Sequence, residues 1–140
     1  MREQEDYYYQ QSAVIPVRGQ GERLEILMIT SRRGKRWIVP KGIIEPDLSP
    51  ADSAVKEALE EAGVEGVVLP AMLGRFQYEK WGDLCDVQVF VMRVTRVLDS
   101  WLEDFRSRVW LDWQEALRRM EEPALRELVQ RLPEHLEEHG

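Results

Sequence analysis

Three glutamates, Glu57, Glu60 and Glu61, stand at helical spacings of three and four residues. Side chains so spaced share one face of an α-helix, so three carboxylates point the same way. Two kinds of surface have this composition. One is a solvated acidic face, with Lys56 at helical distance from Asp52 and Glu60 and each such pair worth only about 0.2–0.5 kcal/mol. The other is a cradle for a hard divalent cation, which would turn the mutual repulsion of the carboxylates into shared coordination. Oxygen donors suit magnesium, with manganese also compatible. Zinc and copper recruit His or Cys, which are absent nearby, and no EF-hand spacing points to calcium.

The rest of the composition leaves hydrolysis to carboxylates. The two histidines, His135 and His139, lie in the last six residues, and Cys85 is the one cysteine. A Ser-His-Asp triad, a Cys-His pair, a histidine-rich zinc site and an internal disulfide therefore have no material. Cys85 reads as a small core or edge residue. A net charge of −7 and a pI near 5.0 argue against nucleic acid or an anionic membrane as partner. The N-terminal MREQEDYYYQQS has no apolar stretch to act as a signal or span, so a cytoplasmic location is expected. A length of 140 residues, 44% hydrophobic and without low-complexity tracts, suits one domain over 1–140.

The acidic helix needs neighbours to position it. Ser49 can cap its start, Pro50 suits its first position, Asp52 stands at the reciprocal capping site, and Gly63 supplies a left-handed stop. Ala51, Val55, Ala58, Leu59 and Ala62 read as the stripe that packs on a sheet. Strands are expected at Gln11–Arg18, Leu24–Ser31 and Arg36–Pro40, followed by the loop KGIIEPDL. VVLPAMLGRFQYEK and DVQVFVMRV read as a hairpin with Trp81 and Gly82 at its tip, and SRVWLDW as a last strand. Helical patterns run from Gln114 and again from Pro123 to Glu138, with Trp101, Trp110 and Trp113 expected to anchor the last helix. The fold class is α/β: a mixed β-sheet flanked by helices on its two faces.

The stretch Gly42 to Val64, GIIEPDLSPADSAVKEALEEAGV, resembles the Nudix box: Gly, five residues, Glu, seven residues, Arg-Glu, apolar, any, Glu-Glu, any, Gly, apolar. Gly42, Glu57, Ala58, Glu60, Glu61, Gly63 and Val64 match it, and the preceding W-x-x-P-K-G is also familiar. Leu48 and Lys56 stand where the pattern has its first glutamate and its arginine, side chains that in the family contact each other and orient the catalytic glutamates. Losing both leaves neither a buried guanidinium nor a carboxylate without its partner, but Lys lacks Arg's planar fork. Glu45 is nearby to substitute for the missing glutamate.

The resemblance implies an αβα sandwich and metal-dependent hydrolysis of a diphosphate linkage in a nucleoside diphosphate derivative or another polyphosphorylated small molecule. It makes Glu57 and Glu61 metal ligands, Glu60 a ligand or general base, and the backbone carbonyl near Lys41 a further ligand. The small size, the W-I-V-P-K-G entry and the basic turn look similar to the diphosphoinositol polyphosphate and diadenosine polyphosphate branch. Arg32, Arg33, Arg36 and Lys41 are the expected phosphate-binding residues, within a basic run that otherwise reads as a solvated turn. Glu79, Asp83 and Asp86 are candidates for one more carboxylate. Tyr7, Tyr8, Tyr9, Phe76, Tyr78 and Trp81 offer either a base-stacking platform or, more commonly, core and interface; exposed on one surface they would suit a homodimer. Two rival readings are a Nudix-like sensor that binds a phosphorylated ligand without cleaving it, motivated by Leu48 and Lys56, and a structural or interaction domain whose acidic helix is only a solvated face.

Overall fold

The computed structural model describes the backbone of residues 8–80 and 82–140 and the side chains of 9–80 and 82–140. The expectations for Tyr7, the Tyr8 side chain and Trp81 lie outside the described residues. The strands are β1 (Tyr8–Arg18), β2 (Glu25–Thr30), β3 (Trp37–Ile38), β4 (Lys41–Ile43), β5 (Val64–Val68), β6 (Gly74–Lys80), β7 (Asp83–Val97) and β8 (Arg108–Asp112). Helix α1 (Pro50–Glu57) runs into a π-turn (Ala58–Ala62), and α2 (Trp113–Arg119), α3 (Pro123–Val129) and α4 (Leu132–His139) close the chain. Among the described residues no helix is long and apolar enough to cross a membrane.

One mixed sheet contains all of these strands, with the central order β3-β2-β1-β7-β5. β1 and β7 pair in parallel from Tyr8 opposite Leu84 to Val17 opposite Arg93, while β4 and β2 pair antiparallel with β1. Central strands covered on both faces need apolar side chains at odd and even positions alike. In β1, Ala13, Ile15 and Val17 face the core under α2–α4, and Val14 faces the core under α1. The same alternation places Val87, Val89 and Val91 of β7 on the first face and Phe90 and Met92 on the second.

The expected hairpin forms, with Gly74 opposite Val89 and Lys80 opposite Asp83. The run before it divides at Pro70, which has no N–H to give a ladder: β5 pairs with the distal half of β7 and β6 with the proximal half. KGIIEPDL, read as loop, begins as β4, because a partner is available on β1. The two ends of the acidic helix are as expected: the Asp52 N–H donates to Ser49 Oγ at 3.0 Å, and Gly63 is left-handed at φ 66°. The buried stripe differs. Ala54, Ala58 and Ala62 meet the sheet with Ala51 partly buried beside them, whereas Val55 and Leu59 are exposed.

Of the tryptophans, Trp113 anchors the C-terminal helices, its Nε1–H donating to the Val129 carbonyl at 2.8 Å. Trp110 lies under the Arg18 guanidinium, and Trp101 packs against the end of the acidic helix. The tight alanine contact leads to a stability test. Ala58→Leu overpacks a fully buried position and is expected to lower unfolding free energy by about 1–3 kcal/mol. Val55→Ala, on the exposed side of α1, is expected to change it by less than about 0.5 kcal/mol. Urea denaturation of both variants checks the direction in which the helix faces.

Candidate functional site

A single residue of β1 aligns both halves of the site. Ser12 pairs with Gly42 across the ladder and donates its hydroxyl to the Pro50 carbonyl at 2.7 Å, so the β4 backbone and the start of α1 share one reference point. The result is a close approach: a Cβ on Gly42 would lie 2.3 Å from the Glu57 carboxyl carbon. Glycine is required here because the Glu57 carboxylate occupies the space of a side chain. One residue earlier, the Lys41 N–H donates to Glu61 Oε1 at 3.2 Å. Gly42 and Lys41 thus receive Glu57 and Glu61 respectively.

The π-turn sets how the glutamates face. A turn closed five residues apart rotates less per residue than an α-turn, which swings Glu61 back over Glu57 and turns Glu60 away. Glu57 and Glu61 share a hydrogen bond between their carboxyl groups. Glu60 instead meets Lys56, Nζ to Oε2 at 3.0 Å. The single-sector arrangement expected of a regular helix is therefore replaced by a pair with a third carboxylate held aside. Among the described residues, no three His, Cys, Asp or Glu side chains converge as a ready-made cage.

Burial and proximity make the pair proton-hungry. Glu61 is pushed up to about 8, first by desolvation and then by its hydrogen bond with Glu57, against the opposing Lys41 N–H. Glu57 is also raised, chiefly by desolvation. Two carboxyls in contact hold one proton between them, and a divalent cation can take its place. An all-oxygen donor set of this kind fits a hard cation.

Lys56 answers the question raised by Leu48. The Leu48 N–H donates to the Glu45 carbonyl at 3.1 Å, and this turn brings the Glu45 side chain round to Lys56, 3.1 Å from its Nζ. Lys56 bridges Glu45 and Glu60, and its ammonium is held above its ordinary range by hydrogen bonds to Glu60 first and Glu45 second. Glu45, three positions earlier, carries the carboxylate that position 48 lacks.

Beside the carboxylate pair lies a cavity of 460 Å³ on the α2–α4 side of the sheet. Ala13, Met28, Met120 and Leu125 contribute apolar walls, Trp37, Phe76 and Tyr78 aromatic ones, and Glu61 reaches its edge. Arg36, Lys41, Lys80 and Arg106 bring positive charge, Glu121 and Glu122 negative charge. Lys41 Nζ donates to Tyr78 Oη at 2.9 Å, and Tyr78 donates to Gln11 Oε1 at 2.9 Å. Burial, then the charge of Lys80, pulls the Lys41 ammonium below its ordinary value, while burial pushes Tyr78 up to about 12.

Of the expected phosphate-binding residues, Arg36 and Lys41 line this cavity, while Arg32 and Arg33 do not. Arg32 points toward Glu103, 3.9 Å away, and the Phe105 ring; Arg33 is exposed in the turn. The hairpin carboxylates are not gathered at the glutamate pair: Asp86 is buried and bonded to Arg75. Cys85 is buried and stands opposite Tyr78 across the β6–β7 ladder, as expected of a core or edge cysteine.

Sequence reasoning missed Glu103 and Arg106. The Glu103 N–H donates to the Glu60 carbonyl at 2.9 Å, and its carboxylate raises Glu57 through charge repulsion. Arg106, buried, grips Glu103 Oε1 at 2.8 Å and the Thr30 carbonyl at 2.8 Å. Neither lies at a spacing that links it to the acidic helix, more than forty residues earlier.

A family profile described as the NUDIX domain matches residues 8–132. "Diphosphoinositol polyphosphate phosphohydrolase 3-beta" of Bos taurus is 32% identical over 130 residues, covering 89% of this chain and 78% of that protein. "Diphosphoinositol polyphosphate phosphohydrolase 3-alpha" of Mus musculus is 34% identical over 114 residues, covering 79% and 68%. A solved structure of a C. elegans Ap4A hydrolase in a binary complex has the same fold, with a TM-score of 0.77, 16% identity, and coverage of 91% of this chain and 97% of that one.

Two tests follow from the geometry. Gly42→Ala drives a methyl into the Glu57 carboxylate and is expected to lower turnover by about 100-fold with the fold retained, as a displaced catalytic group does; steady-state kinetics beside circular dichroism measures both. In metal-free protein, the raised Glu61 carboxyl means that the native state binds more protons than the unfolded state between the ordinary value of 4.5 and about 8. Stability should therefore fall as pH rises through that window and level off above it. Thermal melts across the range should show the decline, and Glu61→Gln should flatten it.

Proposed function

From the premise that the chain belongs to the Nudix family and is a Nudix hydrolase, we propose that it cleaves a diphosphate linkage in a polyphosphorylated small molecule, with magnesium as the working cation and manganese as a substitute. The substrates proposed are nucleoside diphosphate derivatives, diadenosine polyphosphates and diphosphoinositol polyphosphates. The observation that carries this reading is the juxtaposition of the Glu57–Glu61 pair with a cavity lined by Arg36, Lys41, Lys80 and Arg106. Cations gather phosphate oxygens, and Glu61 lines the same cavity as these cations.

The metal, when bound, neutralises charge on the diphosphate and acidifies the attacking water. Glu57 and Glu61 would hold it, with the Lys41 carbonyl as a further donor and Glu103 as an additional carboxylate. Glu60 is a ligand or the general base, and to serve in either role it must be released from Lys56. Arg36 and Lys41 would orient phosphates, Lys41 giving up its bond to Tyr78 to do so. Arg32 and Arg33 would meet only phosphates that extend beyond the cavity. The apolar and aromatic walls, together with Glu121 and Glu122, favour a substrate with a flat ring over a ring densely covered in phosphates, which those carboxylates would repel. We place the protein in the cytoplasm as a single domain over residues 1–140, with a homodimer as its proposed assembly.

The hold of Lys56 on Glu60 favours a second reading, a sensor that binds phosphorylated ligands and turns over little. Both readings meet in one assay: phosphate release from sugar nucleotides, diadenosine polyphosphates, inositol pyrophosphates and nucleoside triphosphates, with and without magnesium. Hydrolysis is expected to depend on magnesium, to be fastest on the diadenosine compounds, and to fall by at least about 100-fold in Glu61→Gln. Tight binding without turnover on any compound would establish the sensor instead.

A further inference from the structure

An α-helix leaves its last four carbonyls without intrahelical partners. At the end of the acidic helix all four consecutive carbonyls from 60 to 63 are taken by a single segment, residues 98–108. The Glu103 N–H donates to Glu60 O at 2.9 Å and the Leu98 N–H to Gly63 O at 2.8 Å. The Trp101 Nε1–H donates to Glu61 O at 3.1 Å. Arg108 Nη1 donates to Ala62 O at 3.0 Å and to Gly63 O at 3.3 Å. The Arg108 guanidinium also lies 3.8 Å from the centroid of the Trp101 ring, and that ring sits so close over Gly63 that an added Cβ would be 2.7 Å from its Cγ. The positive charge therefore sits at the negative end of the helix, stacked on an aromatic face.

The turn so clamped is the π-turn, closed by the Gly63 N–H on the Ala58 and Leu59 carbonyls. A π-turn is a rare conformation, seen mostly as single turns within α-helices and frequently at functional sites. Relaxing to an α-turn would rotate Glu61 away from Glu57 and shift the carbonyls off their partners. Resting on the metal-site reading above, we propose that Trp101 and Arg108 are positioning residues which lock the π-turn and so hold Glu57 and Glu61 together as a cation-binding pair. Neither side chain is placed to touch the substrate; both act through the backbone of residues 61–63.

The test uses the whole chain and the variants Trp101→Phe, which keeps an aromatic ring and deletes the donor, Arg108→Met, Arg108→Lys and, as a control in the same segment, Leu102→Ser at an exposed position. Two quantities are read: amide hydrogen exchange at Ala62 and Gly63 against that of β1, and magnesium affinity by titration calorimetry. Trp101→Phe and Arg108→Met should each speed exchange at 62–63 by about tenfold, leave β1 unchanged and weaken magnesium binding by about tenfold. Arg108→Lys should recover part of both, and Leu102→Ser should match the wild type.

Unaltered exchange at 62–63, exchange raised equally throughout the chain, or magnesium affinity equal to the wild type despite faster local exchange would each overturn the proposal. Wild-type protein that binds no magnesium would overturn the metal-site reading, and with it the cation-binding role of the clamp; the exchange data would then report only whether the turn itself is locked.

Discussion

Two carboxylates held in contact away from bulk water are the constraint on which the site depends. Left alone they repel, and burial adds to the cost, so the chain must supply enough structure to keep Glu57 and Glu61 together when the unconstrained side chains would separate. It does so from three directions. Gly42 vacates the space that the Glu57 carboxylate fills, the Lys41 N–H binds Glu61, and Ser12 ties both β4 and α1 to one strand. The energetic opposition is local, and a proton or a cation placed between the two carboxylates would release it.

What could be read in the sequence was what is encoded locally. The Ser49 cap, the Gly63 stop and the β6–β7 hairpin need only near neighbours, and each is present in the structure. The π-turn was not legible. Its carbonyl partners, from Leu98 to Arg108, lie some forty residues downstream, and a regular helix satisfies the same sequence pattern until they are placed. The same reason hides β4, whose ladder is with β1, and makes Val55 and Leu59 look like core when alanines alone fit against the sheet. In the basic run, composition could nominate four cations but could not say that Arg36 enters the cavity while Arg32 turns to Glu103.

The departures at Leu48 and Lys56 show how one interaction can be rebuilt from different parts. A lysine gives up the planar fork of arginine but reaches further as a flexible point charge, and a carboxylate three residues upstream can meet it once the backbone turns at 45–48. The bridge is solvent-accessible, so its contribution to folding is small. Its importance lies in direction: Lys56 chooses which way Glu60 faces, and the acidic helix consequently presents a pair with a third group in reserve.

The long parallel pairing of β1 with β7 also governs how the molecule is made. Residues 8–17 find their central partner only at residues 84–93, whereas β6 and β7 can close on each other across a short turn. Contacts so distant along the chain carry a large closure entropy and form slowly. The hairpin is therefore expected to assemble early and β1 to dock late. Since Ser12 of that strand aligns Gly42 with the start of α1, the pair of carboxylates is expected to come together only after β1 docks. A chain in which β1 has not yet docked thus lacks the alignment that brings Gly42 against Glu57.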